Sequence, residues 1–512
     1  MKAFTEPLLS LAGFEEMTKT AEKSSGLISV TGCIDAQKSQ MIYAFGGHRK
    51  NKLIVTFGEQ KARELYDEYS FFDKEVVYYP SKDVLFYQSD IRGNLLTAER
   101  IRALKAIREQ ERVTLVTTFD ALMNTMAPIE KMWENVLTLE QGQLLDLKEI
   151  QAALIRMGYE KEYQVQTMGQ FSVRGGILDV FPLTEENPIR IELWGDEIDT
   201  IRYFDCESQK SIENTDRVSI YPAAELVLSD EEKAGGIDKL KAEAKRVSDK
   251  LRKQMKTEEA HRVTVMADEL TEEWGELSMY AGMDAFLSYF FDERVGLLDY
   301  FKPSDSLIFF DELTRCTEQG KLTETEFSES MKQRLAMGYI LSGQMNGLFT
   351  EKEIVAKLGK YSCIALAALD NKANGLHQLG SYGIHCQSVS PYNNSFELLI
   401  KDLKRYKKNG YRVILLSGSR TRAKRLSEDI TDQGITCFYT ENYDPELFEG
   451  QIMVCYGKVR RGFEYPILKF AVITESDIFG AQQKKKKRHR TYEGEKIQSF
   501  TDLSVGDYVV HE

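Results

Sequence analysis

VTGCIDAQKSQMIYAF, residues 30–45, decides how this chain is read. A phosphate-binding loop has the form G-x-x-x-x-G-K-[ST] between a strand and a helix. Its backbone N–H groups turn inward around phosphate oxygens, and its glycines allow that turn. Gly32, Lys38 and Ser39 stand at the required spacing, but Gln37 takes the place of the second glycine. A side chain there restricts the backbone and crowds the phosphate, and Asp35 adds a negative charge that repels it. The segment follows the apolar run LISVTG (27–32), where such a loop belongs. Much later, SLIFFDE (306–312) is an apolar strand ending in Asp311 and Glu312, the form of a Walker B element that normally holds Mg²⁺. Either piece alone also fits an ordinary turn or a solvated strand end. Together, and in this order, they predict a degenerate nucleotide-hydrolase fold in which ATP does not bind tightly at Lys38.

Outward from this loop, residues 1–128 alternate strands and helices. KLIVTF (52–57), EVVYYP (75–80) and RVTLVTT (112–118) read as strands. EQKARELYDEYS (59–70) and TAERIRALKAIRE (97–109) read as amphipathic helices, which predicts a parallel sheet. Residues 129–222 change to short strands with period-two patterning, separated by Gly-Gly, Glu-Asn-Pro and Gly-Asp turns. They predict a mostly antiparallel β domain set into the first. The charge-dense stretch 229–262 reads as a solvated helical arm. The first domain then resumes, giving it a second part over 223–345. Residues 370–480 read as a further α/β domain, because VILLSG (413–418), a helix (420–433) and ITCFY (435–439) repeat the order of 53–79. KKKKRHR (484–490) marks a basic linker, 481–502, and 503–512 begin a strand and stop, so the chain is expected to be a fragment. The expected fold class is thus multidomain α/β: a degenerate P-loop (RecA/helicase-like) domain with an inserted β domain, followed by a second α/β domain.

Composition narrows the function. The 512 residues carry a net charge of −13, which argues against broad nucleic-acid binding but leaves room for a local basic patch. Seven scattered cysteines without a C-x-x-C pair fit a reducing, cytoplasmic setting. The six histidines form no metal-ligand pair, and no run of 18 or more apolar residues exists to span a membrane.

PIRIELWGDE (188–197) puts Ile189, Ile191 and Leu193 on one face of a strand and Arg190, Glu192 and Trp194 on the other. With the isoleucines inward, Arg190 and Trp194 project together, and Trp and Arg are enriched at binding hot spots. Arg174 lies on a neighbouring strand, in FSVRGGILDVFP. Equally, Trp194 could cover the small core while the arginines pair with local acids.

These segments carry a resemblance. FSVRGGILDVFP, the PIRIELWGDEID…RYFD…SQKS run (188–211), YPAAE (221–225), LLDYF…IFFDE, RRGFEYPILKFAVITESDIFG (460–480) and LSVGDYVVHE are similar, in order, to the N-terminal half of the bacterial transcription-repair coupling factor (Mfd) family. The resemblance implies an ATPase-dead, UvrB-like module whose β domain binds UvrA through Arg174, Arg190 and Trp194. The family aromatic at the last position is usually Phe. It implies a variable domain next, then an RNA polymerase-binding domain beginning near Gly506. A motor that moves along double-stranded DNA, with ATP and Mg²⁺, would lie beyond residue 512, so no cofactor and no catalytic residue are expected in this fragment.

Three other readings compete. A UvrB-type excinuclease subunit needs an intact loop and a long aromatic hairpin, for which VLFYQSDIRGN (84–94) is too short. A catalytic helicase or nuclease needs working phosphate chemistry, and no second G-x-x-x-x-G-K-[ST] occurs. A nucleic-acid binder would centre on 484–490, although short basic runs are usually solvated.

Overall fold

The apolar runs around the broken loop are buried on both faces, as strands flanked by helices must be. In a computed structural model, which describes residues 1–45, 49–82, 94–276, 283–369 and 375–480, they join a seven-stranded, all-parallel sheet. Its spatial order is Gln378–Gly383, Gly26–Thr31, Ser362–Leu366, Ser306–Asp311, Asn51–Thr56, Val113–Thr118 and Val77–Tyr79. The strands that lead into the broken loop and into Asp311 are therefore separated by one strand only, Ser362–Leu366.

That intervening strand corrects the expected boundaries. The first α/β domain does not end at 345, because it draws two more strands from 362–383. SCIAL is a short apolar run with no turn residues to announce it, and composition alone hid it among polar neighbours. The second sheet starts at Gln387. Its order is Gln387–Ser388, Phe463–Tyr465, Phe470–Thr474, Arg412–Ser417, Ile452–Tyr456 and Phe438–Tyr439, parallel from Phe470–Thr474 onward. The two α/β units share one apolar cluster. Ile28, Val30, Met41 and Ile42 from the first pack with Leu416, Met453, Phe463, Tyr465 and Phe470 from the second. The helix Asp35–Phe45 lies within this shared core, which explains why it lacks a polar face: Gln37, Lys38, Ser39 and Gln40 are all buried.

The inserted β unit is a six-stranded sheet over 160–215, antiparallel except at the Glu160–Lys161 edge. A two-stranded ribbon, Leu137–Glu140 with Arg217–Ile220, closes it. The helix Ile129–Glu134 does not belong to it, since Ile129 and Met132 pack in the core of the parallel sheet. The 229–262 stretch is likewise more than a solvated arm. Asp230–Lys253 and Thr257–Glu276 pair as a helical hairpin around Leu240, Ala244, Val263 and Trp274. Charges cover the outer face, while small and apolar residues at helical spacing face inward. The 84–94 segment (apart from Asn94), the basic linker and Gly506 lie outside the described residues.

A buried ion pair ties these parts together. Arg100, fully buried on helix Asn94–Glu109, holds Glu225 through Nε at 2.7 Å and Nη2 at 3.0 Å, just after the β unit returns. Lys82 adds a contact to Glu225 at 3.0 Å and one to Asp284 at 2.6 Å. Burial alone would raise the Glu225 pKa, but Arg100 and Lys82 outweigh it and hold it at about 2. The stabilisation is thus present above the ordinary carboxylate pKa and is lost as pH falls from about 4.5 toward 2. Removing one partner of such a pair strands the other charge, so Glu225→Ala should cost about 3–5 kcal/mol at neutral pH. Urea unfolding at neutral pH and near pH 3 should show this difference shrinking in acid. A neutral-pH midpoint equal to wild type would refute the lock.

Candidate functional site

Strand Gly26–Thr31 delivers its chain to the loop at Gly32, whose φ of +78° suits glycine. A Cβ there would meet the Ile384 carbonyl oxygen at 2.0 Å, so the second requirement is close approach. The loop is short, because the helix already starts at Asp35. Three of its N–H groups are spent on the protein itself. Gly32 donates to Ala368 O at 3.2 Å, Cys33 to Ala367 O at 3.0 Å and Gln37 to Ile34 O at 3.2 Å. An anion cradle needs these donors free and convergent.

Lys38 completes the self-occupation. It is 1% exposed, and its Nζ contacts Asp311 Oδ1 at 2.5 Å, Glu312 Oε1 at 2.9 Å and Asp35 Oδ1 at 3.2 Å. Burial alone would depress the ammonium pKa, but Asp311 and Glu312 more than reverse this and hold it above its ordinary value. Lys38 is therefore a cation at every physiological pH. Asp311 also accepts from Thr56 Oγ1 at 3.0 Å, and Glu312 from the Ala368 N–H at 3.1 Å. Lys61 holds the other oxygen of Asp35 at 2.9 Å. The pair expected to hold Mg²⁺ thus neutralises the lysine expected to hold phosphate. Ser39 has its hydroxyl 3.5 Å from the buried Glu68, whose pKa burial pushes up to about 7. Above the helix, Tyr465 of the second sheet donates to Gln37 or Gln40, with its hydroxyl 3.3 and 3.2 Å from their amide oxygens. Gln37 thus stands against a tyrosine where a β-phosphate would go.

The second candidate lies on the inserted sheet. Ile189 and Ile191 are fully buried, and Trp194, at the strand's end before the Gly195 turn, is 85% exposed. The alternation places Arg190 on the outer face, as read from the sequence, but it does not project freely. Its guanidinium grips Asp179 at 2.7 and 2.8 Å, reaches Gln209 at 2.9 Å and stacks over Phe204 at 4.3 Å. Arg174 reaches the same carboxylate at 2.8 Å. Asp179, directly opposite Arg190 across the sheet, is buried and orients both arginines. Sequence reading missed it, although ILDV puts it at odds with its apolar neighbours Leu178 and Val180. Arg202 and Glu192 pair beside this row. Trp194 borders an open cleft of about 820 Å³ that includes Glu197, Asp199 and Asp216.

A family described as the UvrB interaction domain matches residues 137–226, the inserted unit and its ribbon. The chain is 28% identical to the transcription-repair-coupling factor of Bacillus subtilis over 461 residues, covering 90% of the chain and 39% of that protein. The corresponding protein of Staphylococcus haemolyticus is 28% identical over 94% of the chain and 41% of its own length. That of Staphylococcus aureus is 27% identical over 97% and 42%. The chain thus spans about two-fifths of the length of the curated relatives it matches.

Lys38→Ala should leave Asp311 buried without its cation and lower stability by about 3–5 kcal/mol. Lys38→Met combined with Asp311→Leu should recover much of that loss in urea unfolding. Equal stability of wild type and Lys38→Ala would show that the pair is not a structural element.

Proposed function

We propose that this chain, related along nearly its whole length to the N-terminal region of transcription-repair-coupling factors, is the non-motor module that docks UvrA in transcription-coupled nucleotide excision repair. The observation that carries the reading is the exposed Trp194 on the same strand as Arg190, together with two arginines held by one buried acid, inside the segment that matches the UvrB interaction domain. An aromatic anchor with preset guanidinium groups loses little side-chain freedom on binding, which is how hot spots act. Asp179 sets the arginine positions in advance, leaving each with unused N–H donors for a partner.

In this reading the broken loop binds no nucleotide, and the α/β units serve as scaffold. The motor, an ATP- and Mg²⁺-dependent double-stranded DNA translocase, and the RNA polymerase contact near Gly506 belong to the family expectation. A UvrB-type excinuclease subunit is disfavoured, because it would need the phosphate loop that Lys38, Asp311 and Glu312 have closed. Among the described residues no helix is long and apolar enough to cross a membrane; the cytoplasmic location is part of the proposed repair role.

Purified UvrA titrated against this chain tests the reading. Trp194→Ala should weaken association by about 1–3 kcal/mol and leave the unfolding midpoint unchanged, because the ring buries little in the free chain. Arg174→Ala and Arg190→Ala should weaken it by a similar amount. Arg190→Ala should also reduce stability, since Asp179 loses its two-point partner. Wild-type affinity in all three variants would remove the assignment.

A further inference from the structure

We propose that the cleft beside Trp194 receives an arginine side chain of the docking partner, so that the inserted sheet offers two sites of opposite polarity. This rests on the reading of that sheet as a docking surface and adds the charge of what docks. Trp194 stands directly opposite Glu197 across the two-residue turn Gly195 and Asp196. One step further the register shifts, and Asp199 is left as an extra residue on the strand Glu197–Phe204. A bulge of this kind re-aims the side chains around it. The neighbouring ribbon is tied to the bulged strand. Gly142 N–H donates to Ile198 O at 2.8 Å, Gln141 Nε2 to Asp199 O at 2.8 Å, and Ile198 N–H to Gln143 O at 2.9 Å. The cleft between Trp194 and the ribbon is therefore formed before any partner arrives.

Charge decides what the cleft fits. Its acids are Glu140, Glu197, Asp199 and Asp216, and the one cation lining it, Arg217, is paired with Glu140 at 3.2 Å. Among the described residues Glu197, Asp199 and Asp216 make no ion pair. Three unmatched carboxylates around one cleft repel each other, so folding does not account for them. In a chain of net charge −13 an acidic surface alone says little. What sets this one apart is the indole at its border, which buries little area in its own fold. A Trp face attracts cations more strongly than any other side-chain ring. Arginine satisfies both features, because its planar guanidinium stacks on the ring while its N–H donors reach carboxylates in pairs. A lysine lacks the plane, a carboxylate would be repelled, and an apolar side chain would desolvate the acids without pairing them. The open volume of about 820 Å³ admits an arginine together with its flanking residues. Arg190 lies four residues back along the same strand, about 13 Å at strand spacing. With Arg174 it offers N–H donors to an acid. The partner surface that fits carries an acid and an arginine about that far apart.

The test titrates the 512-residue chain with hexa-arginine, hexalysine and hexaglutamate at low salt and reads indole fluorescence. Trp274 is buried and Trp133 packs on the core of the parallel sheet, so Trp194→Phe identifies the signal of the exposed ring. Hexa-arginine should perturb Trp194 saturably, hexalysine more weakly, and hexaglutamate not at all. Glu197→Gln/Asp199→Asn/Asp216→Asn should weaken hexa-arginine and purified UvrA alike by about tenfold. Its thermal melt should match wild type, because these side chains are exposed. No response of Trp194 to hexa-arginine, an equal response to hexalysine or hexaglutamate, or wild-type UvrA affinity in the triple variant would overturn the proposal. The two readings fail separately. Weakened UvrA binding in Trp194→Ala beside an unchanged triple variant keeps the docking surface and removes the arginine. A hexa-arginine response in a chain that binds no UvrA keeps the cleft's chemistry and removes UvrA as its partner.

Discussion

One ammonium group organises the first half of this molecule. Lys38 sits where a nucleotide hydrolase would meet phosphate, but it is buried against Asp311 and Glu312, the acids that would otherwise hold a metal. Bringing three ionised groups out of water is costly, and the arrangement persists because each charge has hydrogen-bonded partners: Thr56 for Asp311, the Ala368 N–H for Glu312, Asp35 for Lys38. Once the charges are matched internally, the loop N–H groups can close onto Ala367 and Ala368, and Tyr465 can pack over Gln37. The second α/β unit packs on the helix Asp35–Phe45. The buried charges and the apolar core shared by the two units are parts of one arrangement.

With Lys38, Asp311 and Glu312 matched to one another, the fold offers surfaces. The inserted sheet hangs from the parallel sheet's body by two chain passages, and the second passage is fastened by Arg100 to Glu225. Its inner face is a conventional apolar core, so its outer face is free to vary in chemistry. The sheet combines rigid positioning with exposure: Asp179 fixes two guanidinium groups, while Trp194 is largely exposed at the strand's end. A docking surface built this way changes little on binding, which limits the entropy lost.

Much of this was legible in the residues. Period-two patterning located the inserted sheet and identified Trp194 as outward-facing, because a buried isoleucine face dictates the other face. The order strand, Gly32, Lys38, Ser39, helix and then IFFDE located the strand–turn–helix at 26–45 and the strand that ends in Asp311. The residues also implied that Gln37 and Asp35 are hostile to phosphate. They did not reveal that Asp311 and Glu312 would turn inward onto Lys38, since that contact joins positions 273 and 274 residues apart. Nor could they reveal Tyr465, whose role depends on how two domains pack. The strand Ser362–Leu366 was hidden for a different reason. A five-residue apolar run buried on both faces has no periodicity to read. The helical hairpin at 230–276 was misjudged because charge density on the outer face masked alanines, leucines and Trp274 at helical spacing on the inner one.

The central claim is that this nucleotide site is filled by the protein's own charges. Isothermal titration of the 512-residue chain with ATP and Mg²⁺ tests it most directly. The account predicts no saturable heat at millimolar nucleotide, in the wild type and in Lys38→Met/Asp311→Leu alike. Micromolar binding that disappears when Lys38 is replaced would contradict it.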